Sequence, residues 1–375
     1  MRRIIHPRIV LATAILAIAI ACPAARAAAT IEIGSAAPDF SLPGVDGKTC
    51  TLESFKDADV LVVIFTCNHC PTAQAYEDRI KRLAADYKDK KVAVVAISPN
   101  DPLAVRLDEL SYSDLSDSLE DMKLRAKDKA FNFPYLYDGA DQKVSRAYGP
   151  AATPHVFVFD KTRKLRYAGR IDNSEKDAAK VTSSETRDAI EALLAGKPVQ
   201  VETTRAPGCS TKWSDKRESA KKWLEAAEKE EVGLSLIDEA GARAMAKNDS
   251  KKLRLFFLWD TGGGLCVDGL AEVVTMNLMY RHRGLEPITI SADSPAEKEK
   301  VLEALKKKHA SAANYLFDAA DKGKLLDAVG AKPADVLPQA ILVAPGGEVL
   351  YRKSGPCDPL EIRKAIVGYL GRTYK

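Results

Sequence analysis

The chain has 375 residues, of which 46% are hydrophobic and 29% are charged. This composition excludes a wholly disordered chain, a collagen-like repeat and a small disulfide-dense scaffold. Because single cores stop growing at roughly 250–300 residues, the length predicts at least two domains. The 56 lysines and arginines exceed the 52 aspartates and glutamates by only four, so the net charge of +4 does not indicate a nucleic-acid partner or an anionic membrane surface.

Residues 1–29 have the pattern of a secretory signal peptide. Residues 1–8 contain three arginines, residues 9–22 are uncharged and apolar, and Ala25-Arg26-Ala27 offers a small-x-small cleavage site. The apolar run of 14 residues is shorter than the roughly 20 that a membrane-spanning helix needs. We therefore expect a mature protein that is exported to the periplasm, where disulfides persist, and that has no stable membrane span after cleavage. Secretion and lipid anchoring are the alternatives.

The remaining chain repeats one order of elements. The segment Y-L-Y-D-G-A-D at residues 135–141 returns 180 residues later as Y-L-F-D-A-A-D, with five of seven residues identical. Each copy alternates apolar strands with helical segments and closes with two strands and a helix, which indicates a duplicated domain with a mixed α/β sheet covered on both faces. The predicted strands are 60–65, 92–97, 155–159 and 164–168 in the first copy and 253–259, 287–290, 340–343 and 348–351 in the second.

These patterns set the predicted boundaries: a first domain at residues 30–213, a helical connector at 214–232 and a second domain at 233–375. The last helix of each domain is predicted to begin with capping residues, Thr182 with Glu185 and Asp358 with Glu361. Residues 98–117 form a longer excursion in the first copy and are either a functional loop or a plain insertion.

Cys67 and Cys70, separated by two residues, follow the first predicted strand and open a helix. A thiol at a helix N-terminus has a lowered pKa, because the unpaired N–H groups and the helix dipole favour the thiolate. We place Cys67 there as the nucleophile and Cys70 as the thiol that resolves a mixed disulfide. Half a zinc site is the alternative, but the chain has no second Cys-x-x-Cys and no histidine pair.

His69 precedes the second cysteine directly. A cationic imidazole beside a thiolate stabilises the reduced pair and makes its disulfide a stronger oxidant. The alternative is a solvated loop histidine with little influence.

Four motifs together resemble the thioredoxin-fold redoxins of the AhpC/TSA and TlpA-like superfamily, and within them a peroxiredoxin-like subgroup. They are Pro38-Asp39-Phe40-Ser41-Leu42, Thr66-Cys67-Asn68-His69-Cys70-Pro71, Thr153-Pro154, and Gly208-Cys209-Ser210-Thr211-Lys212-Trp213. This resemblance covers roughly residues 33–213.

The resemblance implies two tandem thioredoxin-like domains and an active site in which Thr66, Asn68, His69, Thr153 and Pro154 support the cysteines. It implies that Pro154 follows a cis peptide bond facing the disulfide. The backbone of Thr153 would then be open to pair with a substrate strand. Protein thiols or disulfides and a further redox partner are the implied partners, with no cofactor and no metal.

Departures from the family pattern argue against direct peroxide reduction. Peroxiredoxins place a threonine three residues before the reactive cysteine, and here the third residue after Thr66 is His69. Many thioredoxins bury an aspartate six residues before the first cysteine, where this chain has Leu61. Glu77 is either its substitute or an exposed helix carboxylate.

The second copy is predicted to be catalytically degenerate. Residues 259–266 align with the Trp-x-Thr-x-Cys-x-x-Cys of related redoxins, so that Gly263 replaces the attacking cysteine and Cys266 keeps the resolving position. Such a half would be a scaffold, a client-binding domain or an interaction domain.

The leading functional hypothesis is an exported thiol–disulfide oxidoreductase. The alternatives are a metallochaperone holding Cu(I) with Cys67, Cys70 and a histidine, a peroxiredoxin-like antioxidant, and a non-catalytic adaptor. The pairing of Cys50, Cys209, Cys266 and Cys357 stays open, and Cys209 is either a shuttle or a structural thiol.

Overall fold

The computed structural model describes residues 29–139, 141–319, 321–332 and 336–374. The predicted signal peptide, except for its last residue, lies outside them. Among the helices of the described ranges, none is both long and apolar enough to cross a membrane.

The first half contains a five-stranded mixed sheet and two short strand pairs. The sheet order is β5-β4-β3-β7-β8, and the strand pairs are β1 with β2 and β6 with β9. The elements in chain order are β1 (Ser41–Pro43), β2 (Thr49–Thr51), β3 (Val60–Phe65), α1 (Pro71–Tyr87), β4 (Val92–Ser98), α2 (Leu119–Asp128), β5 (Tyr135–Tyr137), α3 (Lys143–Tyr148), β6 (Ala152–Thr153), β7 (His155–Phe159), β8 (Leu165–Gly169), α4 (Glu185–Leu194) and β9 (Cys209–Ser210).

Strand β3 is the centre of this sheet because all six of its residues are apolar and buried. It pairs in parallel with β4 and antiparallel with β7, so that Ile64 lies opposite Ala96 and Val156. Helices α1, α2 and α4 cover one face of the sheet, while α3 and the N-terminal segment cover the other. The active-site segment leaves the carboxyl end of β3 and enters α1.

The second half contains a six-stranded mixed sheet in the order β10-β13-β12-β11-β14-β15. The elements after the first half are α5 (Arg217–Ala227), β10 (Ser235–Ile237), α6 (Glu239–Lys247), β11 (Leu253–Trp259), α7 (Gly264–Tyr280), β12 (Leu285–Ser291), α8 (Lys298–Lys307), β13 (Ala313–Phe317), α9 (Lys322–Ala328), β14 (Gln339–Val343), β15 (Val349–Ser354) and α10 (Pro359–Leu370). Both halves therefore share a parallel core closed by an antiparallel hairpin, and the predicted α/β fold class is confirmed.

The capping predictions have mixed outcomes. Asp358 caps α10 by accepting a hydrogen bond from the Leu360 N–H at 2.8 Å, but Glu361 accepts from Tyr351 and does not close a capping box. The predicted capping by Thr182 is wrong. Helix α4 begins three residues later, and Thr182 bonds to Asn173 instead.

The excursion at residues 98–117 packs against the second half of the chain. Leu110 is buried in the core formed by α7, α8 and α10. The Tyr280 hydroxyl donates to the Ser113 carbonyl oxygen at 2.7 Å, and the Arg372 guanidinium binds both oxygens of Asp114 at 2.5 and 2.9 Å. The excursion thus packs against the second half and is more than a plain insertion.

Candidate active site

The two cysteines lie on either side of the turn that leads from β3 into α1. Cys70 is the N-cap of α1, and Pro71 occupies the first helical position, where its missing N–H costs little. The expectation that Cys67 occupies the helix N-terminus is wrong, because Cys67 lies three residues before the N-cap. Both thiols are buried, Cys67 with 3% of its surface exposed and Cys70 with none.

Thr153 contacts both thiols. Cys67 Sγ lies 3.1 Å from Thr153 Oγ1, and Cys70 Sγ lies 3.2 Å from the Thr153 carbonyl oxygen. The peptide bond between Thr153 and Pro154 is cis, as predicted.

The surroundings of the pair place the thiolate on Cys70. Burial alone would raise the pKa of Cys70, but hydrogen bonds from the Cys209 and Cys67 thiols, the charge of His69 and the Ala73 N–H lower it well below the usual value. The Thr153 carbonyl oxygen accepts a hydrogen bond from Cys70 and so favours its protonated form. The groups that lower the pKa of Cys70 are more numerous. Burial, the hydrogen bond to Cys70 and the charge of Asp117 raise the pKa of Cys67 well above its usual value.

His69 is buried and paired with Asp117. Its Nδ1 lies 2.5 Å from Asp117 Oδ2, and its side chain is 2% exposed. Burial would lower the pKa of His69, but the charge and hydrogen bond of Asp117 raise it. Burial would raise the pKa of Asp117, whereas the charge of His69 lowers it. The interpretation of His69 as a solvated loop histidine is therefore wrong.

Asp117 is fixed by donors from three residues. Its Oδ1 accepts from the backbone N–H groups of Asn68 at 2.8 Å and His69 at 3.2 Å, and its Oδ2 accepts from Asn100 Nδ2 at 2.8 Å. Asn68 also donates through its side chain to the Ser116 carbonyl oxygen at 2.7 Å. These bonds tie the active-site turn to the end of the excursion.

Thr66 has a different position from the other predicted supporting residues. It is buried, and its backbone N–H donates to the Ile97 carbonyl oxygen at 2.9 Å. It thus extends the pairing of β3 with β4 and sets where the active-site turn begins.

Residues 32–187 match the Redoxin protein family. The chain contains a redoxin domain. No curated protein matches the chain. Several solved structures resemble part of the chain.

A hypothetical protein from Sinorhizobium meliloti 1021 is 37% identical over 50% of this chain and 97% of its own, with a TM-score of 0.45. An uncharacterized conserved protein from Geobacillus kaustophilus is 38% identical over 49% of this chain and 93% of its own, with a TM-score of 0.43. A thiol-disulfide oxidoreductase from Bacteroides fragilis NCTC 9343 is 20% identical over 36% of this chain and 89% of its own, with a TM-score of 0.29.

The backbone of Thr153 in the redoxin domain is already paired with another strand of the same chain. Strand β9 pairs with β6 antiparallel, with Cys209 opposite Thr153 and Ser210 opposite Ala152. The expectation of an open backbone for a substrate strand is therefore wrong in this structure, because the chain supplies its own strand at that place.

Glu77 is a buried helix residue of the redoxin domain, and the interpretation of it as exposed is wrong. Its carboxylate accepts from Arg125 Nε at 2.7 Å, and the same guanidinium donates to Gln74 at 2.8 Å. Burial raises the pKa of Glu77 against the opposing charge of Arg125. Its partner is thus a cation on α2.

Cys67, His69 and Asp117 bring three possible ligand atoms within 4.8 Å of one another. This set differs from the predicted copper ligands, since it includes Asp117 and leaves out Cys70. A hard carboxylate is a poor ligand for Cu(I), and Asp117 already holds His69 Nδ1. Cys67, His69 and Asp117 are therefore better suited to share a proton and stabilise a charge than to bind a soft metal ion.

The second half places its corresponding glycine at the helix N-cap. Gly263 caps α7 as Cys70 caps α1, so Cys266 lies one turn inside the helix. The predicted alignment of Cys266 with the resolving cysteine is therefore off by one helical turn. Burial raises the pKa of Cys266, which disfavours its reactive thiolate.

Sequence reasoning missed Asp117 and Asn100 as site residues. Both belong to the excursion, which is rich in aspartate and serine, and this composition identifies no partner for any one of these residues. The proline after Cys70 was an available signal for the helix start, because the residue before a proline favours an extended backbone. Cys70 has φ −69° and ψ 120°.

Proposed function

We propose that this protein is an exported thiol–disulfide oxidoreductase that transfers its Cys67–Cys70 disulfide to dithiols of partner proteins. The observation that carries this proposal is the cluster of donors and the His69 cation around Cys70. A stabilised thiolate is a good leaving group, and it stabilises the reduced protein. The proposal includes membership of the peroxiredoxin-like subgroup.

The reaction starts at Cys67, which is the more exposed thiol of the pair. A partner thiolate attacks Cys67 Sγ, the bond between the Cys67 and Cys70 sulfurs breaks, and Cys70 leaves as a thiolate. The second partner thiol then attacks the partner sulfur of the mixed disulfide and releases Cys67. The partner loses two electrons and two protons, and the Cys67–Cys70 pair gains them.

Asp117 holds the proton on His69 during this reaction. Its carboxylate lies on Nδ1, so the imidazolium stays charged next to the departing Cys70. Thr153 positions both sulfurs through its hydroxyl and its carbonyl oxygen.

The decisive measurement is the redox potential of the pair in the purified mature protein. We expect a value of about −200 mV, more oxidising than the −270 mV or so of thioredoxin. Equilibration in glutathione buffers, alkylation and peptide mass analysis give the potential. Incubation of the oxidised protein with a reduced dithiol peptide gives the transfer.

Single-cysteine variants are the matched controls. Cys70→Ser and the double variant Cys67→Ser/Cys209→Ser should each abolish transfer, and Cys357→Ser should transfer as the wild type does. A potential at or below that of thioredoxin, or transfer that survives Cys70→Ser, would contradict the proposal. Turnover of hydrogen peroxide at a rate above that of the dithiol reaction would favour the antioxidant alternative.

Export to the periplasm is part of the proposal and rests on residues 1–29. Cell fractionation and N-terminal sequencing of the native protein test it. We expect a periplasmic protein that begins after Ala27 or Ala29.

A further inference from the structure

Cys209 lies where a partner strand would pair with the active site. Strand β9 runs antiparallel to β6 and sets Cys209 opposite Thr153, the residue that contacts both active-site sulfurs. Gly208 makes this approach possible. Its φ is +105°, and a Cβ at this position would lie 2.1 Å from the Thr153 carbonyl oxygen. The segment is thus shaped to lie against the cis-proline turn.

Cys70 is the central sulfur of a cluster of three thiols. The Cys209 N–H donates to Cys70 Sγ at 3.4 Å, and hydrogen bonds with the Cys209 and Cys67 side chains are among the causes that lower the pKa of Cys70. Cys209 also packs against the buried cluster of Cys67, Cys70 and Ala73. Two different thiols therefore lie within contact of the same sulfur.

The surroundings of Cys209 differ from those of a buried structural cysteine. Cys209 is partly exposed, and the side chain of Tyr374 opposes the rise in the pKa of Cys209. The hydrogen bond to Cys70, then burial and the Cys70 charge, raise the pKa of Cys209. Oxidation of Cys70 removes its negative charge and its acceptor role, so both causes that depend on Cys70 vanish when the Cys67–Cys70 disulfide forms.

We propose that Cys209 is a third redox thiol, which exchanges with the Cys67–Cys70 disulfide to give a Cys70–Cys209 disulfide. The Cys209 thiolate attacks Cys70 Sγ, the Cys67–Cys70 bond breaks, and Cys67 leaves as a thiolate that takes up the proton lost by Cys209. One disulfide and one thiol are present before and after, so the step needs no oxidant or reductant. This inference rests on the proposed function, because it uses the same disulfide.

The exchange gives the strand β9 a role as an internal substrate. Strand β9 pairs with the backbone of Thr153 as a partner strand would, and its Cys209 lies opposite Thr153. After the exchange the disulfide joins Cys70 and Cys209, and Cys67 is a free thiol. The protein would therefore hold two alternative disulfides at a single site.

The test uses the full-length mature Cys67→Ser variant, equilibrated in glutathione buffers, quenched with acid and mapped by peptide mass. We expect a Cys70–Cys209 linkage in more than half of the molecules, under conditions that leave Cys50, Cys266 and Cys357 unpaired. The matched control is Cys67→Ser/Cys209→Ser/Ser210→Cys. It moves the thiol one residue along β9 to the opposite face, because side chains alternate along a strand. We expect at least tenfold less linkage to Cys70 in this control.

Separate addition of glutathione to Cys70 and Cys209, or equal linkage in the control, would overturn the inference. If Cys67→Ser does not fold, the wild-type peptide map decides. The 70–209 peptide should then appear beside the 67–70 peptide and be lost in Cys209→Ser, and its absence from the wild type would overturn the inference as well. Failure of the proposed function is a separate result, since it is judged by transfer from the wild-type protein to a dithiol peptide.

Discussion

Replacement of Asp117 by asparagine should make the Cys67–Cys70 disulfide less oxidising. Asp117 is buried, accepts four hydrogen bonds, and is the main cause of the raised pKa of His69. An asparagine side chain at this position would keep the size and one acceptor but not the charge. Without that charge, burial lowers the pKa of His69 and favours the neutral imidazole.

The size of the effect follows from the lost cation beside Cys70. We expect the pKa of Cys70 to rise and the potential to become more negative by about 30 mV, which for two electrons is about 1.4 kcal/mol. Asp117 also raises the pKa of Cys67, behind burial and the hydrogen bond to Cys70. That effect does not offset the shift, because Cys67 remains protonated at neutral pH in both proteins.

Two assays on the same samples check this prediction. Glutathione equilibration gives the potential, and the thiolate absorbance near 240 nm, followed against pH, gives the pKa of Cys70. Asp78→Asn is the control, since Asp78 is an exposed carboxylate on α1. An unchanged potential and an unchanged Cys70 titration in a folded Asp117→Asn protein would refute the role given to the His69–Asp117 pair.

The same variant predicts a pH window for stability. The pKa of His69 is raised, so its contribution is complete below its usual value of about 6.5 and is lost as the pH rises through the folded value. The pKa of Asp117 is lowered, so its contribution is present above its usual value of about 3.9 and is lost as the pH falls through the folded value. The difference in unfolding free energy between wild type and Asp117→Asn should therefore be largest between about pH 4 and pH 6.5, as urea titrations would show.

Three further predictions concern the second half. Arg372→Ala should lower the urea unfolding free energy by about 2 kcal/mol, because it leaves the buried Asp114 with a cation only at 3.9 Å, and Arg372→Lys should restore part of this loss. Gly269→Ala should cost about 1–3 kcal/mol, since its Cβ would lie 2.4 Å from a buried ring, whereas Gly264→Ala, with open space around it, should be neutral or stabilising. Cys266→Ala should transfer disulfides to a dithiol peptide at the wild-type rate, and a dead variant would show that the second half has redox chemistry.

The longer strands were predictable because the residues of each strand show by themselves that the strand is buried. Residues 60–65 and 253–259 are apolar runs, broken only by Arg254, and nearly every residue of both is buried in the sheet centre. Strands β9 and β10 have two and three residues and carry no such pattern. Their positions depend on partners at Ala152–Thr153 and Ala313–Phe317, far away in the sequence.

The candidate site was also predictable only where the signal lies in neighbouring residues. The spacing of Cys67 and Cys70 identifies the chemistry from four adjacent residues. Asp117 lies 48 residues from His69, in a segment without hydrophobic periodicity, so no local signal connects the two. Its charge is nevertheless the largest cause that raises the pKa of His69.

The excursion connects the second half of the chain to this charge. Ser113 and Asp114 of the excursion are bound by Tyr280 and Arg372 of the second half, and three residues later Asp117 binds His69. Because only three residues separate Asp114 from Asp117, the binding of Asp114 by the second half limits where the Asp117 carboxylate can lie. A half without a cysteine at its helix N-cap can thus still act on Cys67 and Cys70, by holding in place the carboxylate that raises the pKa of His69. The Arg372→Ala protein distinguishes this role from stability alone: a potential shifted in the same direction as in Asp117→Asn supports it, and an unchanged potential confines the second half to stabilising the fold.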